Sequence, residues 1–353
     1  MAQKNYIPSE EAKKPFFIGI DLGGTNIKVG MVDDLGRALA WLSIPTEVSK
    51  GPEDAANRMA KAALQVVAKA GVELADIARV GLGSPGTMDI PAGKLLKPAN
   101  LKGWDYFPLR DRVSEHCGLP VTFANDANAA AYGEFWVGSG RDFRSMVLFT
   151  LGTGIGSGII IGDLCLDGEN SHGGECGHMI INCAPDARMC ACGQRGHLEA
   201  YCSATAVVNR TREALDAGRT SSLAADLKDG KELAPKLLDK HAEKGDQLCL
   251  DIIMETARYM GVGITNLMHT IDPSGVLLGG AMTFGGKESQ LGQKFLAEIK
   301  AEVKRRAYAI LAERTVIDFA SLGGDAGYIG AAGLARLEYN RVGGRGKGIE
   351  DRG

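Results

Sequence analysis

Apolar positions along this chain recur with two periods, and the pattern is laid down twice. Phe16-Phe17-Ile18-Gly19-Ile20-Asp21 is an apolar run closing on a carboxylate and predicts a buried strand. Strands over 27–32 and 38–44 follow at hairpin spacing, and helical periodicity runs from about 52 to 70. A buried strand over 78–82 leads into the turn Gly83-Ser84-Pro85-Gly86, and after an irregular stretch holding Pro98, Asn100 and Trp104 a short strand over 121–124 enters a helix near Asp126. The second half restarts with a strand over 146–151, the turn Gly152-Thr153-Gly154-Ile155-Gly156 and a returning strand over 157–161. Helices are expected over 203–217 and 247–271, within 290–311 and near 327–339, with strands over 275–278 and 315–319. Residues 21–30 and 150–159 match in hydrophobic pattern and turn position, a weak internal repeat. Strand–helix alternation in both halves predicts an α/β protein of two similarly built lobes, 16–140 and 141–339, with the final helix free to pack back on the first. Residues 1–15 read as a polar leader and 340–353 as a disordered tail.

Composition narrows the classes of function. With 353 residues, 45% of them hydrophobic, the chain can bury the cores of two domains. A formal net charge of -3 argues against a general nucleic-acid binder, which would need a basic face, and no apolar run approaches a membrane span. The eight cysteines follow no secretory signal, so a reducing cytoplasm is expected. The 48 glycines fall in discrete motifs, which marks places where backbone approaches a ligand closely.

Two glycine-rich hairpins on separate lobes suit a polyphosphate held between backbone amides: Gly23, Gly24, Thr25 and Asn26 in the first, Gly152, Thr153 and Gly154 in the second. Asp21 is placed to organise a magnesium ion through water, and Lys28 adds an ammonium. Asn125-Asp126-Ala127-Asn128 lies where a strand meets a helix. Asp126 fits two roles there: helix N-cap, or general base toward a sugar hydroxyl attacking a γ-phosphorus. Gly279 and Gly280 follow a strand and suit either an adenine or ribose lying close, or a plain turn. Gly323-Gly324-Asp325-Ala326-Gly327 is similar, or is only the entry to the last helix.

His178, Cys190, Cys192 and His197 have the composition and clustering of a structural zinc site, bracketed by Glu175 and Glu199. Cys176, Cys183 and Cys202 are close enough in sequence to substitute as ligands, the fourth position being the least fixed. Such a metal would order a loop carrying acids aimed at a polyhydroxy ligand, with His178 serving both metal and sugar. Its removal is expected to weaken sugar binding and leave the nucleotide contacts of the hairpins unaffected.

Taken jointly, Asp21-Leu22-Gly23-Gly24-Thr25, Gly83-Ser84-Pro85-Gly86, Asn125-Asp126-Ala127-Asn128, Leu151-Gly152-Thr153-Gly154-Ile155-Gly156, Gly174-Glu175-Cys176-Gly177-His178, the run from Cys190 to Glu199, and Gly279-Gly280 resemble the ROK family of sugar kinases and sugar-responsive repressors. The resemblance covers about 16 to 339 and is greatest to bacterial glucokinases. It implies a two-lobed actin-like, hexokinase-type ATPase fold with duplicated ribonuclease H-like domains and a structural zinc loop. It also implies ATP, Mg2+ and Zn2+ as cofactors, phosphorylation of a hexose at O6 with glucose first, and a homodimer or homotetramer. By carry-over, Asp126 is the catalytic base, Gly86, Asn125, Glu175, His178 and Glu199 hold the sugar, and the two hairpins hold ATP. The family's zinc motif has a third cysteine where this chain has His197. N-acetylglucosamine, N-acetylmannosamine and fructose are the alternative substrates. A non-catalytic sugar sensor is the alternative class, distinguished by sugar binding without ADP formation. The repressor branch carries a winged helix ahead of the first glycine motif, where this chain has only about fifteen residues, so a kinase is expected.

Overall fold

The computed structural model describes residues 6–343; residues 1–5 and 344–353, with most of the expected tail, lie outside the described residues. The chain opens with three antiparallel strands, β1 (Phe16–Leu22), β2 (Asn26–Val32) and β3 (Ala38–Pro45). Helix α1 (Pro52–Ala70) starts with proline in its first turn beside Glu53 and Asp54, and stops at Gly71 in the left-handed region. These are the placements that the helix dipole and the proline and glycine geometries favour. It buries Ala55, Met59, Ala62, Ala63 and Val66, a single stripe at helical spacing.

Strand β4 (Ile77–Ser84) returns parallel to β1, followed by the small ladder of β5 (Met88–Asp89) and β6 (Lys94–Leu95). Helix α2 (Leu109–Cys117) occupies part of the stretch expected to be irregular. It buries only Leu109, Val113 and Cys117 among charged neighbours, an apolar stripe too thin to stand out. Strand β7 (Val121–Asn125), parallel to β4, completes a sheet of order β3-β2-β1-β4-β7, and α3 (Asp126–Trp136) leaves its end.

The second half repeats this plan. Strands β8 (Ser145–Leu151), β9 (Ile155–Ile161) and β10 (Leu164–Cys165) precede four short helices, α4 (Glu199–Cys202), α5 (Ala204–Asp216), α6 (Leu223–Lys228) and α7 (Pro235–Ala242). The long helix α8 (Gln247–Ile271) leads to β11 (Gly275–Gly280), then α9 (Gln290–Arg306), α10 (Ala309–Arg314), β12 (Val316–Phe319) and α11 (Ala326–Val342). The sheet order is β10-β9-β8-β11-β12, with β11 parallel to both β8 and β12. Position for position this is the order of the first sheet, so the repeat seen in the sequence is a repeat of topology. Where one helix was expected within 290–311, α9 ends at Ala307 in extended backbone, and the Tyr308 N–H leaves the helical ladder to donate to His269 Nε2 at 3.2 Å.

Contacts divide the chain into two units: Met1–Asp142 with Gly158–Gly174 and Gly324–Gly353, and Phe143–Ser157 with Glu175–Gly323. The lobes are therefore not the two continuous stretches 16–140 and 141–339. Residues 158–174 join the first unit because Asn128 Nδ2 donates to Asp167 Oδ1 at 2.9 Å and the Ile90 N–H donates to Ser171 Oγ at 3.0 Å. Helix α11 joins it by packing on β1, β4 and α3; side chains at Gly19 and Gly81 would collide with the carbonyls of Tyr328 and Ala331, so the sheet can take the helix only because both are glycine. The expected polar leader is tied down over its described part. The Ile7 N–H donates to Ala38 O at 3.0 Å, Lys13 N–H to Asp33 Oδ2 at 3.1 Å, and Asp34 N–H to Lys13 O at 2.9 Å. Among the described residues no helix is long and apolar enough to cross a membrane.

Candidate active site

In the first unit, three adjacent parallel strands end at the same edge. The register pairs Asp21 of β1 with Gly83 of β4, Gly83 with Ala124 of β7, and Ser84 with Asn125. Residues about a hundred positions apart in sequence thus share the carboxyl end of a parallel sheet, where α/β folds place their ligands. Asn125 caps α3: its Oδ1 accepts from Ala127 N at 2.9 Å and Asn128 N at 3.2 Å. The capping role considered for Asp126 therefore belongs to Asn125. Asp126 is the first helical residue, and its Oδ1 accepts from Ala127 N at 2.8 Å. Gly86 has φ +89, in the left-handed region, and a Cβ there would lie 2.7 Å from Pro98 Cβ; the turn after β4 needs glycine on both counts.

The first hairpin turn is pinned from below. Thr46 Oγ1 donates to Gly23 O at 2.6 Å, Thr46 N to Thr25 O at 2.8 Å, and Gly23 N to Asn26 O at 3.0 Å. These bonds consume carbonyls of the turn, which suits a loop whose amides are to face an anion. Gly24 and Asn26 are exposed with Thr25 at its tip. Lys28 Nζ donates to Gly324 O at 2.7 Å and stands 3.9 Å from Asp21 Oδ2. Burial raises the Asp21 carboxyl above its usual value, against the lowering effect of Lys28. A Cβ at Gly327, in the first turn of α11, would meet the Asp21 carboxylate at 2.5 to 2.9 Å, so the entry to α11 packs directly on Asp21.

In the second unit the turn between β8 and β9 holds the same place in its sheet. The Gly152 carbonyl accepts from Ala204 N at 2.8 Å and the Thr153 carbonyl from Thr205 Oγ1 at 2.9 Å, again from a neighbouring element. Gly279 and Gly280 end β11 opposite Thr150 and Leu151.

The same unit gathers the nitrogen and sulfur donors. One donor atom from each of His178, Cys190, Cys192 and His197 lies within 4.8 Å of all the others. His178 Nδ1 is 3.2 Å from His197 Nδ1 and 3.9 Å from Cys190 Sγ, and Cys192 Sγ is 3.3 Å from His197 Nδ1. Tetrahedral zinc bonds to nitrogen and sulfur imply donor–donor separations of about 3.3 to 3.8 Å, close to the 3.2 to 3.9 Å found for these three pairs, so the donor set suits such an ion once small shifts close the wider separations. Backbone pairings order the loop: Ile180 bridges His197 and Met189 bridges Arg195, while the Cys190 N–H donates to Gln194 O at 2.8 Å. Burial pushes the Cys190 thiol up to about 12, and burial followed by the neighbouring His178 lowers His197. The cysteines considered as substitutes stand outside the cluster. Cys176 is buried, Cys202 is buried with its thiol donating to Thr256 O at 3.5 Å, and Cys183 is exposed.

Glu175 precedes the single turn Cys176–His178, its Oε2 4.0 Å from His178 Nε2. Glu199 opens α4, and its Oε2 accepts from Ile155 N at 2.8 Å while its Oε1 takes the Cys190 thiol at 3.5 Å. The loop of the His/Cys cluster and the second hairpin, expected to act largely independently, therefore share the Glu199 side chain. Three contributors escaped the sequence reading: Thr46, Asp167 and the Gly327–Asp21 contact. A lone threonine and a lone aspartate carry no motif; Gly327 lay inside one already noted.

The two units share one α/β sheet order, each with a glycine turn after its first strand. The ROK family model matches residues 17–338, and the chain belongs to the ROK family. It is similar to the glucokinase of Halalkalibacterium halodurans, at 32% identity over 93% of this chain and 97% of the relative. Among solved structures, the ROK hexokinase of Thermus thermophilus matches with TM-score 0.78 and 32% identity, over 92% of this chain and 99% of that one. A ROK family glucokinase from Streptomyces griseus, solved with glucose and AMPPNP, matches with TM-score 0.72 and 33% identity, over 91% and 99%.

Proposed function

We propose that this protein transfers the γ-phosphoryl group of ATP to O6 of a hexose, with glucose as its main substrate. The observation that carries the proposal is the shared edge of β1, β4 and β7, which gathers Asp21, the Ser84-Pro85-Gly86 turn and Asn125-Asp126. Asp126 accepts the O6 proton as O6 bonds to the γ-phosphorus and the bond from that phosphorus to the bridging oxygen breaks, releasing ADP. Asn125 offers its amide nitrogen, because capping uses only its Oδ1. Gly86 provides backbone at the turn, and Glu175, His178 and Glu199 supply acceptors and a donor for the sugar hydroxyls. The turns Gly23–Asn26 and Gly152–Gly154 hold phosphates, with Gly279 and Gly280 toward the nucleoside.

A magnesium ion, when bound with ATP, neutralises charge on the phosphate oxygens, and Asp21 is the side chain placed to orient its water shell. His178, Cys190, Cys192 and His197 would hold a zinc ion with no open position, a structural role. A panel of hexoses with coupled ADP detection tests the substrate. Glucose should have the highest kcat/KM, ahead of fructose, N-acetylglucosamine and N-acetylmannosamine; a higher value for any of these would replace glucose.

Gly327 supplies a second test. Gly327→Ala puts a methyl group 2.5 Å from the Asp21 carboxyl carbon, so the carboxylate must move. Displacements on the order of 1 Å cost about 100-fold. A fall in kcat of about 10- to 100-fold is expected with the glucose KM near its original value. Wild-type kcat in a folded Gly327→Ala protein would remove Asp21 from the reaction.

A further inference from the structure

The metal cluster and the second glycine turn meet at one residue, Ile155, from two directions. Glu199, two positions after the ligand His197, takes the Ile155 N–H on its Oε2 at 2.8 Å. Gly177, next to the ligand His178, lies against the same residue: a Cβ there would be 3.2 Å from Ile155 Cβ and would collide with the Ile155 carbonyl. The Glu199 carboxylate also underlies Gly154, where a Cβ would stand 2.5 Å from Oε2, and its other oxygen faces the ligand Cys190. The turn is thus seated on a side chain and a backbone segment that lie within two residues of the ligands His197 and His178.

We propose that occupancy of the His178–Cys190–Cys192–His197 cluster sets the conformation of the 152–156 turn and so controls nucleotide affinity, with Glu199 as the positioning residue that links them. Loss of the ion frees the loop on both sides of Ile155, and the turn loses the carboxylate that orients the Ile155 amide. The coupling is reciprocal by thermodynamic necessity: the factor by which metal tightens nucleotide binding is the factor by which nucleotide tightens metal retention. The inference rests on the kinase reading for its assignment of the turn to nucleotide.

The test is calorimetric titration of Mg2+ and a non-hydrolysable ATP analogue into zinc-loaded and chelator-stripped protein, with folding of both checked by circular dichroism. Affinity is expected to fall about 10- to 100-fold on stripping, the range seen when groups around a metal are lost. In Glu199→Ala loaded with zinc, affinity should fall by a similar factor, and stripping should then add little. Glu199→Gln keeps an acceptor for the Ile155 N–H and should restore most of the loss. Equal affinity of stripped and loaded wild type overturns the coupling and leaves the kinase reading standing. A stripping effect that persists undiminished in Glu199→Ala overturns Glu199 as the link. Nucleotide binding to neither form overturns the coupling together with the reading beneath it.

Discussion

Asp126→Ala should bind glucose nearly as the parent does while kcat falls by roughly two to four orders of magnitude. The asymmetry follows from position. Asp126 is the first residue of α3, and the cap that secures this helix is Asn125, whose Oδ1 holds Ala127 N and Asn128 N. Removing the Asp126 carboxylate leaves that cap in place, so the fold and the Asn125 amide persist. What disappears is the proposed acceptor for the O6 proton, together with the bond from Ala127 N to Asp126 Oδ1. Asn125→Ala should behave differently, losing a helix cap at a stability cost of about 1 kcal/mol together with sugar affinity. Steady-state kinetics beside calorimetric glucose titration separates the two; near-normal kcat in Asp126→Ala would reject the base assignment.

Replacing His197 by alanine should release zinc and weaken glucose binding by about 10- to 100-fold. Four donors within 4.8 Å of one another crowd two thiols and two imidazoles, an arrangement that a divalent cation would stabilise, and burial disfavours the Cys190 thiolate unless a metal holds it. The backbone bridge between Ile180 and His197 does not need the imidazole, so the expected loss acts through the metal, which would otherwise tie His197, two positions before Glu199 and α4, to His178 and Cys190. His197→Cys should retain the metal, since thiolate and imidazole both suit tetrahedral zinc. Zinc content by elemental analysis and glucose affinity by calorimetry check the pair. Full zinc occupancy with unchanged affinity in His197→Ala would contradict the ligand set.

Strands and long helices were legible in the sequence because their apolar periodicity is strong. The helix at 247–271 is Asp246-capped and buries a broad stripe, and the two glycine turns announce themselves by composition. Short elements were not legible. Helix α2 buries three side chains, and α6 and α7 sit in a charged segment where pattern carries little information. The site was readable as motifs but not as geometry. No spacing rule says that Asn125 takes the cap from Asp126, that residues 158–174 return to the first unit, or that Glu199 reaches Ile155. Each depends on packing between segments distant in sequence, and the signal at each position is a single ordinary polar or small residue.

Phosphoryl transfer to a hexose can be followed by phosphorus NMR of the zinc-loaded protein with ATP, Mg2+ and glucose. The ATP γ-phosphate resonance should decay as glucose 6-phosphate and ADP appear in equal amounts. Glucose binding with the ATP resonances unchanged, repeated for the other hexoses, would contradict it and leave a sugar-sensing protein.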